Sequence, residues 1–95
     1  MKHAGATTLA ELSELLEQLR AVPGLVERKP GIFYRGPSAF LHFHEDSAGV
    51  FADAKLNGRE FERSPVSTLQ QRRAFLLAVR SAVESPTRQP RAQAK

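Results

Sequence analysis

His42 and His44 occupy alternate positions of the run Phe-Leu-His-Phe-His. Alternate side chains of a β-strand point to the same face of its sheet, so both imidazoles are predicted to share one face. With Asp53 as the oxygen ligand, the pair resembles a two-histidine, one-carboxylate metal site, and Glu45 and Glu62 are alternative ligands. The same spacing is also typical of a half-exposed strand without a metal. A third interpretation makes either histidine an acid, a base or a hydrogen-bond donor towards a ligand.

Alternation divides the strands predicted over 39–44 and 49–56 into two faces. One face is apolar, contains Leu41 and Phe43, and is expected to lie under the helices. The other face mixes aromatic, titratable and charged side chains, which suits a small ligand or a protein partner. Its predicted members, the candidate binding residues, are Phe40, His42, His44, Phe51, Asp53, Lys55 and Arg35.

The distance from His42 to Asp53 depends on the loop between these two strands. A four-residue turn places Phe51 opposite His42 and Asp53 on the diagonal, whereas a six-residue loop makes His42 and Asp53 direct neighbours. Both registers bring an imidazole close to a carboxylate.

Asn57-Gly58 is a strong signal for a two-residue hairpin turn, since both residues tolerate positive φ. This turn predicts a fourth strand over 59–63 and places Asp53 opposite Glu62. Two like charges in that position are unfavourable unless a cation lies between them.

Capping boxes predict where two helices begin. Thr8 and Glu11 form the first, and that helix ends before Pro23-Gly24. Ser67 and Gln70 form the second, and the helix that follows runs to about residue 84.

Arg72 lies in the middle of the apolar stripe of the second helix, where an aliphatic residue is usual. One interpretation is that its side chain reaches water or pairs with Glu60 or Glu62. The other is an arginine directed at an anionic ligand near the start of the helix.

These elements predict an α+β domain, an antiparallel meander of three to four strands with an N-terminal and a C-terminal helix on one face. Residues 25–31 are predicted to be a connection, because Pro30 and Gly31 interrupt them. The domain is expected to span 8–84, between a flexible N-terminus, 1–7, and a disordered basic tail, 85–95.

Composition excludes several kinds of protein. The chain has no cysteine, which excludes disulfides and thiolate chemistry, and no apolar run as long as a membrane span. A cytoplasmic protein with no evident cofactor is therefore expected. Residues 1–84 are nearly neutral, with 11 basic and 10 acidic side chains, so nucleic acid is expected to bind only through the tail.

Exposure of both Phe40 and Phe51 on one face predicts a surface that binds a partner or a second copy of the chain. We therefore expect a module that binds a ligand or a protein through the His-x-His face. If the partner is a second copy of the chain, the module is a homo-oligomer. The alternative is a small enzyme or a metal-dependent binder with His42 and His44 as ligands or acid-base groups.

Four segments, 29–35, 40–46, 52–56 and 61–66, resemble a family of short bacterial proteins. The histidine strand followed by an Ala-Asp strand is also similar, more distantly, to the small luciferase-type domain of unknown function, whose members carry a His-x-His strand. The resemblance covers about residues 23–83. It implies a compact bacterial α+β domain and implies no reaction.

Overall fold

Two short helices and a six-stranded antiparallel sheet precede one long helix in the computed structural model, which describes residues 2–84. The α+β class is confirmed, and the sheet is larger than the three to four strands expected. In chain order the elements are β1 (Lys2–His3), α1 (Ala6–Glu11), α2 (Ser13–Arg20), β2 (Leu25–Lys29), β3 (Ile32–Arg35), β4 (Ser38–Asp46), β5 (Gly49–Ala54), β6 (Glu62–Pro65) and α3 (Leu69–Glu84). The basic tail, 85–95, lies outside the described residues.

Strands β2 to β6 pair in chain order, as a meander requires. β4 is the longest of the described strands and has two neighbours on one side. β3 pairs with its first half, Ser38–Leu41, and β1 pairs with His44 and Glu45 further along. β1 therefore lies in line with β3, on the same side of β4. Residues 2–7, which were expected to lie outside the domain, contribute a strand and the start of α1.

The segment predicted as a connection is an edge strand, so this part of the expectation was wrong. Pro30 and Gly31 form the turn between β2 and β3 and do not interrupt β2. Gly31 has a φ of 77°, which glycine adopts without steric cost. Because the turn lies at Pro30-Gly31, the preceding five residues are free to pair with β3.

The hairpin at Asn57-Gly58 is longer than predicted, and its register differs by one residue. The Asn57 side-chain oxygen accepts hydrogen bonds from the backbone N–H groups of Arg59, at 2.8 Å, and Glu60, at 3.0 Å. These bonds close a local turn that keeps residues 59–61 out of the strand. Asp53 consequently pairs with Arg63 and not with Glu62, and an opposite charge replaces the predicted like charge.

Both predicted capping boxes were wrong. Thr8 lies inside α1, where Gly5 is the N-cap, because the Thr8 hydroxyl donates to Glu45 at 2.6 Å instead of capping the helix. At α3 the pair is Thr68 with Gln71, whose backbone N–H donates to the Thr68 hydroxyl at 3.1 Å. Ser67 is not available as a cap, since its hydroxyl accepts from the backbone N–H of Val50 at 2.9 Å.

The core lies between the helices and one face of the sheet. The sheet contributes Phe33, Leu41 and Phe43, none of them more than 3% exposed. The assignment of Leu41 and Phe43 to the core is therefore confirmed. The helices contribute side chains that belong to the same buried cluster, among them Leu12, Leu15, Leu16, Leu19, Phe75, Leu76 and Val79. Among residues 2–84, no helix is long and apolar enough to cross a membrane.

Glu27 of β2 makes the stability of the fold depend on pH. Arg20 donates hydrogen bonds to its carboxylate, the Gly31 N–H adds another at 2.9 Å, and both lower the pKa of Glu27. A carboxyl whose pKa is lower in the folded state stabilises that state above its unfolded pKa, and this contribution is lost as the pH falls through the folded pKa. We therefore expect Glu27→Gln to destabilise the protein at pH 7, measured by urea unfolding, and the difference from wild type to shrink between about pH 5 and about pH 2.

Glu14→Gln is the control for this experiment, because Glu14 is exposed on α2 and takes no part in the hydrogen bonds of Glu27 with Arg20 and Gly31. A destabilisation by Glu27→Gln that stays constant across this pH range would contradict the role given to the carboxylate.

Candidate functional site

Strands β4 and β5 place His42, His44 and Asp53 on the face of the sheet away from the core. His42 pairs directly with Asp53, and His44 pairs with Phe51. This is the register expected from the longer of the two predicted loops, but the strands extend further, so Ser47 and Ala48 alone form the turn. The side chains of a direct pair on adjacent strands are neighbours, which brings the three polar groups together.

The nitrogen and oxygen atoms of this cluster converge on a small volume. One atom from each of His42, His44 and Asp53 can be chosen so that all three lie within 4.8 Å of one another. The closest approach joins His44 Nε2 to Asp53 Oδ2, at 3.1 Å. The two imidazole rings have their centroids 4.7 Å apart and meet edge to face.

Three imidazole nitrogens in the cluster are buried and have no hydrogen-bond partner within residues 2–84: His42 Nδ1, His44 Nδ1 and His44 Nε2. His44 Nε2 is close to Asp53 Oδ2 in distance, but the angles at the two atoms are not those of a hydrogen bond. A buried polar group without a partner costs about 1 to 3 kcal/mol, so three in one cluster call for an explanation.

Arg63 of β6 holds the carboxylate of Asp53. Its Nε and Nη2 atoms donate to the two carboxylate oxygens at 2.9 and 3.0 Å, the bidentate geometry that arginine forms with carboxylates. These bonds lower the pKa of Asp53, so the group is a carboxylate at neutral pH although its residue is only 7% exposed. Sequence reasoning missed Arg63, because the predicted register placed Glu62 in its position.

His42 is held in its neutral form. Burial is the main cause of its lowered pKa, and the neighbouring His44 lowers the pKa further. The charge of Asp53 raises the pKa of His42 by a smaller amount. A neutral imidazole keeps one nitrogen lone pair free, and that form binds metal ions.

Two aromatic side chains that the sequence did not assign to the site border it. The His3 ring centroid lies 5.1 Å from that of His44 and 5.7 Å from that of His42. Phe61 packs edge to face on His42, with centroids 4.8 Å apart. A two-residue strand such as β1 leaves no periodic signal in a sequence, so nothing pointed to His3.

Among the aromatic candidates, Phe51 shares the face with His44, whereas Phe40 does not. Phe40 is 3% exposed and belongs to the core. β3 pairs Phe33 with Leu41 and Tyr34 with Ala39, so Phe40 is an extra residue in a bulge that breaks the alternation. The expected exposure of both phenylalanines, which predicted self-association, is therefore wrong for Phe40.

Arg35 and Lys55 lie away from the histidines. Arg35 donates to the backbone oxygen of Val83 at 3.2 Å, and both cations border an open groove of about 460 Å³ next to Phe40. The Lys55 ammonium lies 5.1 Å from the centre of the Phe61 ring, which separates it from His42. The hydrogen bonds from a cation to the carboxylate of Asp53 come from Arg63, and not from Arg35 or Lys55.

Arg72 has a structural role that neither interpretation predicted. Its Nε donates to the backbone oxygen of Val66 at 2.8 Å, and its Nη2 donates to that of Ser67 at 3.0 Å. The guanidinium fastens the start of α3 to the segment that follows β6. Among residues 2–84 it forms no ion pair with Glu60 or Glu62. It also borders a cavity of about 170 Å³ between α2 and the start of α3, so an arginine directed at an anionic ligand stays a prediction.

The resemblance to the bacterial family and to the luciferase-type domain stays a prediction from the residue pattern. No family model, curated protein or solved structure matches the chain.

Proposed function

We propose that this chain is a small metal-binding module that holds one divalent transition-metal ion between His42, His44 and Asp53. The observation that carries the proposal is that one nitrogen from each of two half-buried imidazoles and a carboxylate oxygen lie within 4.8 Å of one another, on rings whose buried nitrogens have no hydrogen-bond partner within residues 2–84. Two imidazoles and one carboxylate suit Zn²⁺ or Fe²⁺, and the chain has no thiolate that would favour a softer ion.

The spacing of the rings agrees with binding to a common ion. With metal–nitrogen distances of about 2.0 to 2.1 Å, two imidazoles on one ion have ring centroids about 4.5 Å apart at a right angle and about 5.2 Å apart at the tetrahedral angle. The 4.7 Å between His42 and His44 falls in this interval. Tetrahedral donor atoms lie about 3.4 Å apart, so a cluster spanning 4.8 Å has to contract by about 1.4 Å.

Metal binding also gives a partner to two of the three unpartnered imidazole nitrogens. An ion satisfies one buried nitrogen on each ring, and it needs no proton to be removed from the neutral His42. Arg63 is compatible with the ion, because each carboxylate oxygen has two lone pairs and the guanidinium uses one on each. In this arrangement Arg63 orients the ligating carboxylate, as partners in the second shell of metal sites do.

This proposal develops the metal-dependent alternative of the sequence analysis. Phe40, whose exposure together with Phe51 predicted a surface that binds a partner or a second copy of the chain, lies in the core. Three protein ligands leave a coordination position open, which is the arrangement of catalytic metal sites. The proposal covers binding of the ion and assigns no reaction to it.

The test is calorimetric titration of metal-free protein, purified without a His-tag, with Zn²⁺ and with Co²⁺. We expect one ion per chain for the wild type. His44→Ala is expected to weaken binding by at least about 100-fold, because the loss of a direct ligand exceeds the effect of losing a residue that only orients a ligand by a hydrogen bond. Its far-ultraviolet circular dichroism is expected to match that of the wild type, since the His44 side chain is outside the core.

Glu62→Gln is the matched control, because Glu62 is an exposed acid next to Arg63 and belongs to no ligand set in the structure. Its affinity is expected to equal that of the wild type. Wild-type protein that binds neither ion, or equal binding by His44→Ala, would overturn the proposed function.

A further inference from the structure

We infer that His3 is a fourth ligand of the metal ion, supplied by β1, and that metal binding fastens the N-terminal segment to the sheet. The inference rests on the proposed function and adds a ligand and a structural consequence to it.

The register of β1 places His3 on the correct face. His3 pairs directly with His44, so the two side chains project to the same side of the sheet. Its ring centroid lies 5.1 Å from that of His44 and 5.7 Å from that of His42. Three imidazoles around one tetrahedral ion have centroids about 5.2 Å apart, so the spacing of the rings fits a common ion. The His3 ring has to turn to bring a nitrogen into the cluster of His42, His44 and Asp53.

His3 is free to make that adjustment. It is exposed, in contrast to the half-buried rings of His42 and His44. Rotation about its side-chain torsions therefore displaces no core residue. In the observed arrangement the His3 ring stacks on His42, with an angle of 29° between the planes.

The chain after β1 is fastened to β4 next to the site. The Ala4 N–H donates to the backbone oxygen of Phe43 at 3.2 Å. The Glu45 carboxylate then accepts from the Gly5 N–H and the Thr8 hydroxyl, each at 2.6 Å. Residues 4–8 are therefore anchored, whereas β1 itself has only two residues, both exposed. A bond from His3 to the ion would add a side-chain anchor to the strand pairing of β1.

The ligand set would then be three imidazoles and one carboxylate, which fills a tetrahedral ion and leaves no position for water. The prediction differs from a three-ligand site in affinity, in coordination geometry and in the mobility of β1. Each of the three can be measured on the same protein.

The experiment compares wild type, His3→Ala and Lys2→Ala in Co²⁺ titrations followed by visible absorption, with hydrogen exchange of the backbone amides before and after metal addition. Lys2 is the matched control, because it lies on the same two-residue strand and pairs with Glu45, one position from His3. We expect His3→Ala to weaken binding by about 10- to 100-fold. We also expect it to lose the intense absorption of tetrahedral Co²⁺, and Lys2→Ala to do neither.

Metal is expected to slow exchange at the Ala4 amide in the wild type and in Lys2→Ala, and not in His3→Ala. If the wild type binds Co²⁺ but His3→Ala keeps its affinity and spectrum, the three-ligand site stands and the fourth ligand is wrong. If the wild type binds no Co²⁺, the proposed function fails first. The wild-type titration tests the proposed function, and the comparison with His3→Ala tests the fourth ligand, so the two failures can be told apart.

Discussion

Asp53→Asn is expected to weaken Zn²⁺ binding by at least about 100-fold and to lower the free energy of unfolding of the metal-free protein by about 1.5 to 3 kcal/mol. Asp53 supplies the negative charge of the proposed site and accepts both hydrogen bonds from Arg63. An asparagine keeps one acceptor but turns its NH₂ group towards a guanidinium N–H, so one of these bonds becomes a donor-donor contact. Since Arg63 is 49% exposed, water can replace the lost bond, which limits the cost.

Asp46→Asn is the control for this prediction. It removes the same charge from an exposed residue at the end of β4, and an asparagine there can still accept from the Ala48 N–H, a bond of 2.8 Å in the structure. Titration calorimetry and urea unfolding of both variants separate the effects. Equal losses of Zn²⁺ affinity in the two variants would show that general charge, and not ligation by Asp53, attracts the ion.

Phe33→Ala is expected to destabilise the domain by about 3 to 5 kcal/mol, through the lost burial of the ring and the cavity that remains. Phe33 is fully buried and lies on β3, in the interior of the sheet, opposite Leu41 of β4. A domain of this size has a total stability of about 5 to 15 kcal/mol, so this change removes a large part of it. Urea unfolding followed by circular dichroism measures the loss.

Phe61→Ala makes the same truncation at a residue that is 42% exposed, and it is expected to cost much less. If Phe33→Ala fails to fold, Phe33→Leu provides the measurable variant, with an expected loss of about 1 to 2 kcal/mol. A loss for Phe33→Leu no larger than that for Phe61→Ala would contradict the position of Phe33 in the core.

The central hairpin was predictable because its signals are local. Alternation along β4 and β5 assigns Leu41 and Phe43 to the core and His42 to the opposite face, and the buried side chains confirm the first assignment. One of the two predicted registers makes His42 and Asp53 neighbours, and the structure has that register. The three ligands of the proposed site, His42, His44 and Asp53, and their common face follow from a pattern with a period of two.

The residues that complete the site depend on contacts that a single sequence does not show. A hydrogen-bonded turn around Asn57 moves β6 by one residue, which exchanges Glu62 for Arg63 beside Asp53. A bulge at Phe40 sends that ring into the core. His3 reaches the site through a strand pairing across about 40 residues of chain, which no local periodicity predicts.

Crystals of the protein soaked in Zn²⁺, with diffraction data collected on both sides of the zinc absorption edge, test the central proposal most directly. We predict an anomalous peak on the open face of the sheet, about 2.0 to 2.2 Å from a nitrogen of His42, a nitrogen of His44 and an oxygen of Asp53. Full soaking with no peak in this cluster, or with zinc bound only at exposed acids such as Glu11 and Glu14, would contradict it.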